Sequence, residues 1–123
     1  MTEAAVRNAI RELARELAVL LPERADAITI AFERARANPE NLEARETLRV
    51  LVHRLRGSAG SHGFDGLSRE AGLIEDCLLA EGASLAEAGT WQHLAARVGE
   101  IRTGAERAAR EAEGEGLAAE VKP

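Results

Sequence analysis

"LVHRLRGSAGSHGFDGL", residues 51–67, decides how this chain of 123 residues folds. Apolar residues recur at helical spacing from before this stretch to Ala59, and glycines stand at 57, 60, 63 and 66. We interpret the stretch as the end of one helix, a connection at "SHGFDG" and the start of the next helix. Leu48, Leu51, Leu55 and Ala59 form the core stripe of the first helix, and Leu67 opens the stripe of the second.

Three further helical segments flank this pair. We expect one from about Thr2 to Leu20, one from Pro22 to about Ala37, and one from Trp91 onward. Pro22 suits the first position of a new helix, and Asn38 with Pro39 suits the start of the helix that carries residue 53. One stripe per helix with short connections predicts an all-α fold: an antiparallel four-helix bundle with an additional N-terminal helix.

We assign residues 1–112 to this single bundle. Residues 113–123 carry no apolar stripe, so we expect a frayed C-terminal tail. In the loop before the last helix, Ser84 and Glu87 fit a capping box.

Composition narrows the functional classes. The net charge of −5 argues against a nucleic-acid partner, because phosphate backbones require a broad basic face. Cys77 is the only cysteine, which excludes an internal disulfide. No signal-peptide pattern and no apolar window near the ~18 residues of a membrane span are present, so we expect a cytoplasmic protein without a membrane partner. A monomer is expected, since each stripe serves one core.

His53 lies on the outward face of its helix. With Leu48 at zero on a helical wheel, His53 falls at about 140°, away from the core stripe. Arg49, Arg56, Gly57 and Gly60 lie along the same outward side. Glycine inside a helix costs roughly 1 kcal/mol relative to alanine, so a glycine pair beside an exposed imidazole indicates a surface that another molecule approaches closely.

The stretch resembles the histidine-containing phosphotransfer (HPt) domain family. That family has a leucine two residues after its histidine, a basic residue at three, and glycines at four and ten, with an "LE"-like pair on the next helix. The matching residues here are His53, Leu55, Arg56, Gly57, Gly63, Leu67, Ile74 and Glu75. One departure is Arg56, where the family most often has lysine. The family's architecture is also a four-helix bundle with an added N-terminal helix.

The resemblance implies a phosphoryl carrier and not a kinase. His53 would be the phosphoacceptor, taking the group through Nε2 from an aspartyl phosphate of a response-regulator receiver domain and passing it on in a multistep two-component phosphorelay. A hybrid histidine kinase is the expected source. Mg²⁺ is expected on the receiver, and no cofactor or metal is expected on this chain.

Other residues have expected supporting roles. Arg56 would contact the phosphoryl group. Glu75 and His53 are equidistant from the bend near residue 64, so antiparallel helices put them level, and the carboxylate is positioned to orient the imidazole. We predict a receiver-docking face made of Arg49, Val50, Arg54, Gly57 and Gly60, and structural roles for Leu55, Gly63 and Leu67.

Two alternatives stay open. The same face would serve a binding module that docks on a receiver or kinase and regulates it without carrying phosphate. A metal site of His53, His62 and Glu75 ranks lower, because the wheel puts the two histidines on opposite sides of their helix. We expect His62 to be a hydrogen-bonded structural residue, His93 to lie on the surface, and Trp91 and Cys77 to be packing residues.

Overall fold

A computed structural model describes residues 1–80 and 88–121, with side chains for 1–80 and 89–114. It contains four helices: α1 (Glu3–Ala37), α2 (Leu42–Ser61), α3 (Asp65–Leu79) and α4 (Ala88–Val121). Helix α1 packs against α2 and α4, and α3 packs against the same two helices. No strand occurs in the part of the chain that is described, so the predicted all-α bundle is confirmed.

The separate N-terminal helix is not confirmed. The predicted first and second segments are one continuous helix, α1, with Pro22 inside it. Proline lacks the N–H that would bond the carbonyl four residues earlier. However, Leu21 and Ala25, on either side of the proline, are both buried in the same core. Packing of one continuous face therefore keeps the helix intact across the proline.

Replacing Pro22 with alanine is expected to raise the free energy of unfolding, by up to about 3 kcal/mol, because alanine supplies the missing N–H and suits a helix interior. Urea denaturation of the two proteins measures the difference. Glu23→Ala is the matched control, since Glu23 is exposed and already has its backbone N–H. A loss of stability in Pro22→Ala would show that the helix depends on the proline.

The core consists of the predicted stripes with one exception. Leu48, Val52, Ile74, Leu94 and Ile101 have no exposed surface. In the first stripe only Leu17 is buried, whereas Val6, Ile10, Leu13 and Leu20 are exposed. Helix α2 has 20 residues against 35 in α1, so it does not cover the full length of α1.

The connection between α2 and α3 is a tight turn. Gly63 has a φ of 84°, the left-handed conformation that glycine adopts at helix ends. The Phe64 N–H then donates to the Ala59 carbonyl at 2.8 Å. Helix α3 follows directly: the sequence suggests Asp65 as its N-cap, whereas in the structure Phe64 has that position and Asp65 is the first helical residue. This turn, with Gly63 in the left-handed conformation, makes α2 and α3 an antiparallel hairpin.

Other boundaries differ slightly from the prediction. Asn41, and not Asn38, caps α2 through its side chain, and Asn38 ends α1 instead. Helix α4 continues to Val121, beyond the last apolar stripe; the domain boundary at 112 and the fraying of the tail stay predictions. The proposed capping box of Ser84 and Glu87 lies outside the described residues. Among the described helices, none combines the length and apolarity needed to cross a membrane.

Candidate functional site

His53 lies on the solvent side of α2. Its side chain is 66% exposed, while Val52, the preceding residue, has no exposed surface. The outward orientation that the helical wheel predicted is therefore confirmed. An incoming group can reach the ring without any rearrangement of the core.

Glu75 of α3 contacts the His53 ring on the side that faces the protein. It is only 4% exposed, the one charged residue among the buried positions that the structure describes. Its Oε2 lies 2.7 Å from Nδ1 of His53, so the level placement predicted from the bend is confirmed. A carboxylate oxygen only accepts, so Nδ1 carries the hydrogen and donates it. In the neutral ring the lone pair then belongs to Nε2, the nitrogen farther from Glu75.

Two arginines complete the surroundings of Glu75. Arg49 Nη1 lies 3.4 Å from Oε2, and Arg56 Nη1 lies 3.2 Å from Oε1. The buried carboxylate thus accepts from three donors, which compensates for its removal from water. The hydrogen bond to Glu75 raises the pKa of Arg56 above its ordinary value. Through Glu75, the His53 imidazole is therefore connected to one arginine before it and one after it along α2.

Arg49 also forms a local pair with Glu46 on its own helix. Its Nε and Nη2 donate to the two carboxylate oxygens of Glu46 at 2.8 and 2.6 Å. This bidentate hydrogen bond lowers the pKa of Glu46 and raises that of Arg49. Arg49 therefore already has two carboxylate partners, which leaves it less available to a docking protein than we expected.

Gly72 and Asp76 also belong to the site, although the sequence analysis did not single them out. Arg56 Nη1 lies 3.3 Å from Oδ1 of Asp76. A Cβ at Gly72 would lie 3.0 Å from Nε and 3.1 Å from Cζ of Arg56. Glu75 was placed opposite His53 because both are equally far from the bend near residue 64. Arg56 and Gly72 are also equally far from that bend, one helical turn closer to it. The same argument would therefore have identified Gly72.

The two glycines of the predicted docking face have different surroundings. A Cβ at Gly57 would have no neighbour within 4 Å, so this position is open, as predicted. A Cβ at Gly60 would instead lie 3.1 Å from the Ser68 hydroxyl oxygen. That hydroxyl donates to the Arg56 carbonyl at 2.8 Å. Gly60 therefore allows α3 to approach α2, which is a packing role beside any role in docking.

The remaining predicted residues divide into surface and core. Val50 is half-buried, and Arg54 is exposed above a groove between α1 and α2. Arg54 lines this groove on the α1 side of α2, and its place in a docking face stays a prediction. Leu55 and Leu67 are buried, as their structural assignment requires.

The other histidines have separate surroundings. His62 Nδ1 lies 2.8 Å from the Ser58 carbonyl oxygen, which confirms its hydrogen-bonded structural role. His93 is exposed, and Trp91 is buried with its ring centroid 5.8 Å from that of Phe32. Within the described residues, no three His, Cys, Asp or Glu side chains are grouped as metal ligands. The metal-site alternative thus has no geometric support.

Cys77 is half-buried beside the core, as expected of a packing residue. Burial raises the pKa of its thiol, so less thiolate is present near pH ~8 than in a free cysteine. We expect iodoacetamide to alkylate Cys77 about three- to tenfold more slowly in the folded protein than in urea. Mass spectrometry of timed samples measures both rates. Equal rates would mean that the thiol is open to water.

Comparison with known protein families agrees with this geometry. A family model described as Hpt domain matches residues 4–111. Comparison with curated proteins and with solved structures gives no match. The family match includes His53, Glu75 and both arginines and spans most of the sequence. The chain therefore belongs to the Hpt domain family, whose members are phosphocarrier modules of two-component signalling and not kinases.

Proposed function

We propose that this protein accepts a phosphoryl group on His53 from the aspartyl phosphate of a receiver domain and donates it to another receiver. The observation that carries the proposal is the exposed imidazole whose Nδ1 is held 2.7 Å from the buried Glu75 carboxylate. That arrangement favours a nucleophilic Nε2 directed toward solvent. The proposed exchange takes place in the cytoplasm, in a relay that a hybrid histidine kinase supplies.

The chemical step is an in-line displacement at phosphorus. A bond forms between Nε2 and phosphorus while the bond from phosphorus to the aspartate oxygen breaks, and the aspartate leaves as a carboxylate. The phosphorylated ring retains its hydrogen on Nδ1 and gains positive charge. Glu75 stabilises this charge through the same hydrogen bond. The reverse step returns the group to a receiver aspartate.

Arg56 is the proposed cation for the phosphoryl oxygens. It lies three residues after His53, so both side chains project from the same part of α2. Its planar guanidinium suits bidentate contact with phosphate oxygens. Mg²⁺ on the receiver would neutralise most of the charge that develops in the transition state.

Docking on a receiver requires that the receiver can approach the surface of α2 closely. The open position of Gly57, next to the ring, supports such an approach. We propose that Val50, Arg54 and Gly60 extend this docking face along α2. The positive charge of Arg54 would favour association with the acidic rim of a receiver.

The test of this function is transfer from a purified receiver phosphorylated on its aspartate. Incubation with this protein is expected to move the phosphate to a histidine, giving a product that is labile in acid and stable in base. Loss of label from the receiver without its appearance on this protein would contradict the proposal.

The binding-module alternative makes a different prediction for the same mixture. A stoichiometric complex with the receiver, measured by calorimetry, without any phosphohistidine would favour it. The open surface at Gly57 is compatible with both functions, whereas the hydrogen bond from Nδ1 to Glu75, which leaves Nε2 free, supports phosphate acceptance.

A further inference from the structure

We propose that Asp76 competes with the phosphoryl group for Arg56 and thereby sets how far the exchange equilibrium favours the unphosphorylated protein. This inference rests on the proposed function. It assigns Asp76 and Gly72 as positioning residues that act through Arg56 and do not touch the reacting atoms.

Arg56 is held against α3 in the unphosphorylated protein. One nitrogen, Nη1, is shared between Glu75 at 3.2 Å and Asp76 at 3.3 Å. The missing side chain of Gly72 makes room for the rest of the guanidinium, since a Cβ there would stand 3.0 Å from Nε. The arginine thus spans the gap between the helices and rests on α3.

The two carboxylates that hold Arg56 differ in their other partners. Glu75 is buried and also binds His53 and Arg49. Asp76 has a side chain that is 66% exposed, and Arg56 is its only hydrogen-bonding or ion-pairing partner among the described residues. Asp76 can therefore release Arg56 to an incoming anion and be hydrated by water, whereas release by Glu75 would leave a buried charge with fewer partners.

The phosphoryl group therefore competes with Asp76 for Arg56. Contact between Arg56 and the phosphoryl oxygens of phosphorylated His53 weakens the ion pair with Asp76. The pair stabilises only the unphosphorylated state, so it favours donation of the phosphate to the next receiver. Removal of the Asp76 charge is expected to shift the equilibrium toward the phosphorylated protein.

The experiment measures the equilibrium constant of phosphoryl exchange with one purified receiver. Asp76→Asn is expected to increase the phosphorylated fraction of this protein, with a shift of about two- to fivefold in the constant, the range set by the strength of exposed ion pairs. Gly72→Ala is expected to shift the constant in the same direction, because the new methyl group displaces a flexible guanidinium away from Asp76. Alanine also suits a helix better than glycine, so this variant should fold.

A double-mutant cycle identifies the route of the effect. In an Arg56→Gln background, Asp76→Asn is expected to leave the constant unchanged, because the competition needs the arginine. A shift that persists in that background would mean direct repulsion between Asp76 and phosphate and would overturn the inference. The matched control is Asp26→Asn, which removes an ion pair of similar exposure, to Arg102 at 3.7 Å, on another face of the bundle.

The outcomes separate this inference from the proposed function. If the unsubstituted protein takes no phosphate, the proposed function fails and this inference fails with it. If it takes phosphate normally and Asp76→Asn shifts nothing, or shifts the equilibrium toward the receiver, only the competition is refuted. An equal shift in Asp26→Asn would refute it as well.

Discussion

His53→Gln is expected to abolish acid-labile phosphate on this protein altogether. Glutamine has a similar length and can approach Glu75 through its amide hydrogens, but it has no nitrogen lone pair that can attack phosphorus. The measurement is the transfer of label from a phosphorylated receiver, followed by electrophoresis at neutral and acidic pH. No other substitution in the chain should have so large an effect.

Folding should not obscure this result. His53 is exposed, the glutamine amide can still donate to Glu75, and Arg49 and Arg56 keep their contacts with that carboxylate. The urea transition of His53→Gln is therefore expected to match that of the unsubstituted protein. Its complex with the receiver should also persist, because the open position at Gly57 is unchanged.

The chain supplies two matched controls. His93→Gln replaces another exposed histidine, and His62→Gln replaces one that bonds to the Ser58 carbonyl. Both variants are expected to accept phosphate as the unsubstituted protein does. Phosphate that persists in His53→Gln and disappears in His93→Gln would assign the acceptor to α4 and refute the proposed site.

Two features of the site follow from regular helix geometry and could be predicted from the sequence. The outward direction of His53 follows from the 3.6-residue period alone, and the level of Glu75 follows from equal rise on both sides of a bend. Both deductions need only local geometry and the position of one turn. The structure bears out the outward ring and the contact between the two side chains.

Features that depend on competition between distant parts of the chain could not be predicted this way. Local propensity favours a helix start at Pro22, but burial of Leu21 and Ala25 in one core keeps α1 continuous. The apolar stripe at Ile10 and Leu13 has a regular helical spacing, yet these residues are exposed. Periodicity shows which residues share a face, but it does not show whether a neighbouring helix covers that face.

For single residues of the predicted docking face, too, the sequence does not show which positions a neighbouring helix contacts. Gly57 and Gly60 lie on one side of α2, so the sequence treats them alike. The structure separates them, because Ser68 of α3 approaches Gly60 and nothing approaches Gly57. An alanine at Gly57 should therefore hinder only the partner, apart from stabilising α2 by up to about 1 kcal/mol, while an alanine at Gly60 must also displace Ser68.

Glu75→Ala is expected to slow phosphoryl transfer from a receiver by about ten- to a hundredfold, by analogy with the loss of the carboxylate that orients a metal-ligating histidine. The variant loses the acceptor for the Nδ1 hydrogen, so the ring no longer favours the tautomer with a free Nε2. Stopped-flow or quenched transfer assays measure the rate. Glu75→Gln is the conservative control and should retain most of the rate, because its amide oxygen can accept from Nδ1.

A second measurement distinguishes this orienting role from a merely structural one. Nitrogen NMR of His53 reports which ring nitrogen carries the hydrogen. The unsubstituted protein and Glu75→Gln are expected to carry it on Nδ1, and Glu75→Ala is expected to gain the other tautomer. A slow Glu75→Ala variant with an unchanged tautomer would indicate that the carboxylate acts through the two arginines and not through the ring. Transfer at the full rate in Glu75→Ala would show that the exposed imidazole needs no partner, and that the burial of Glu75 serves only to join α2 to α3.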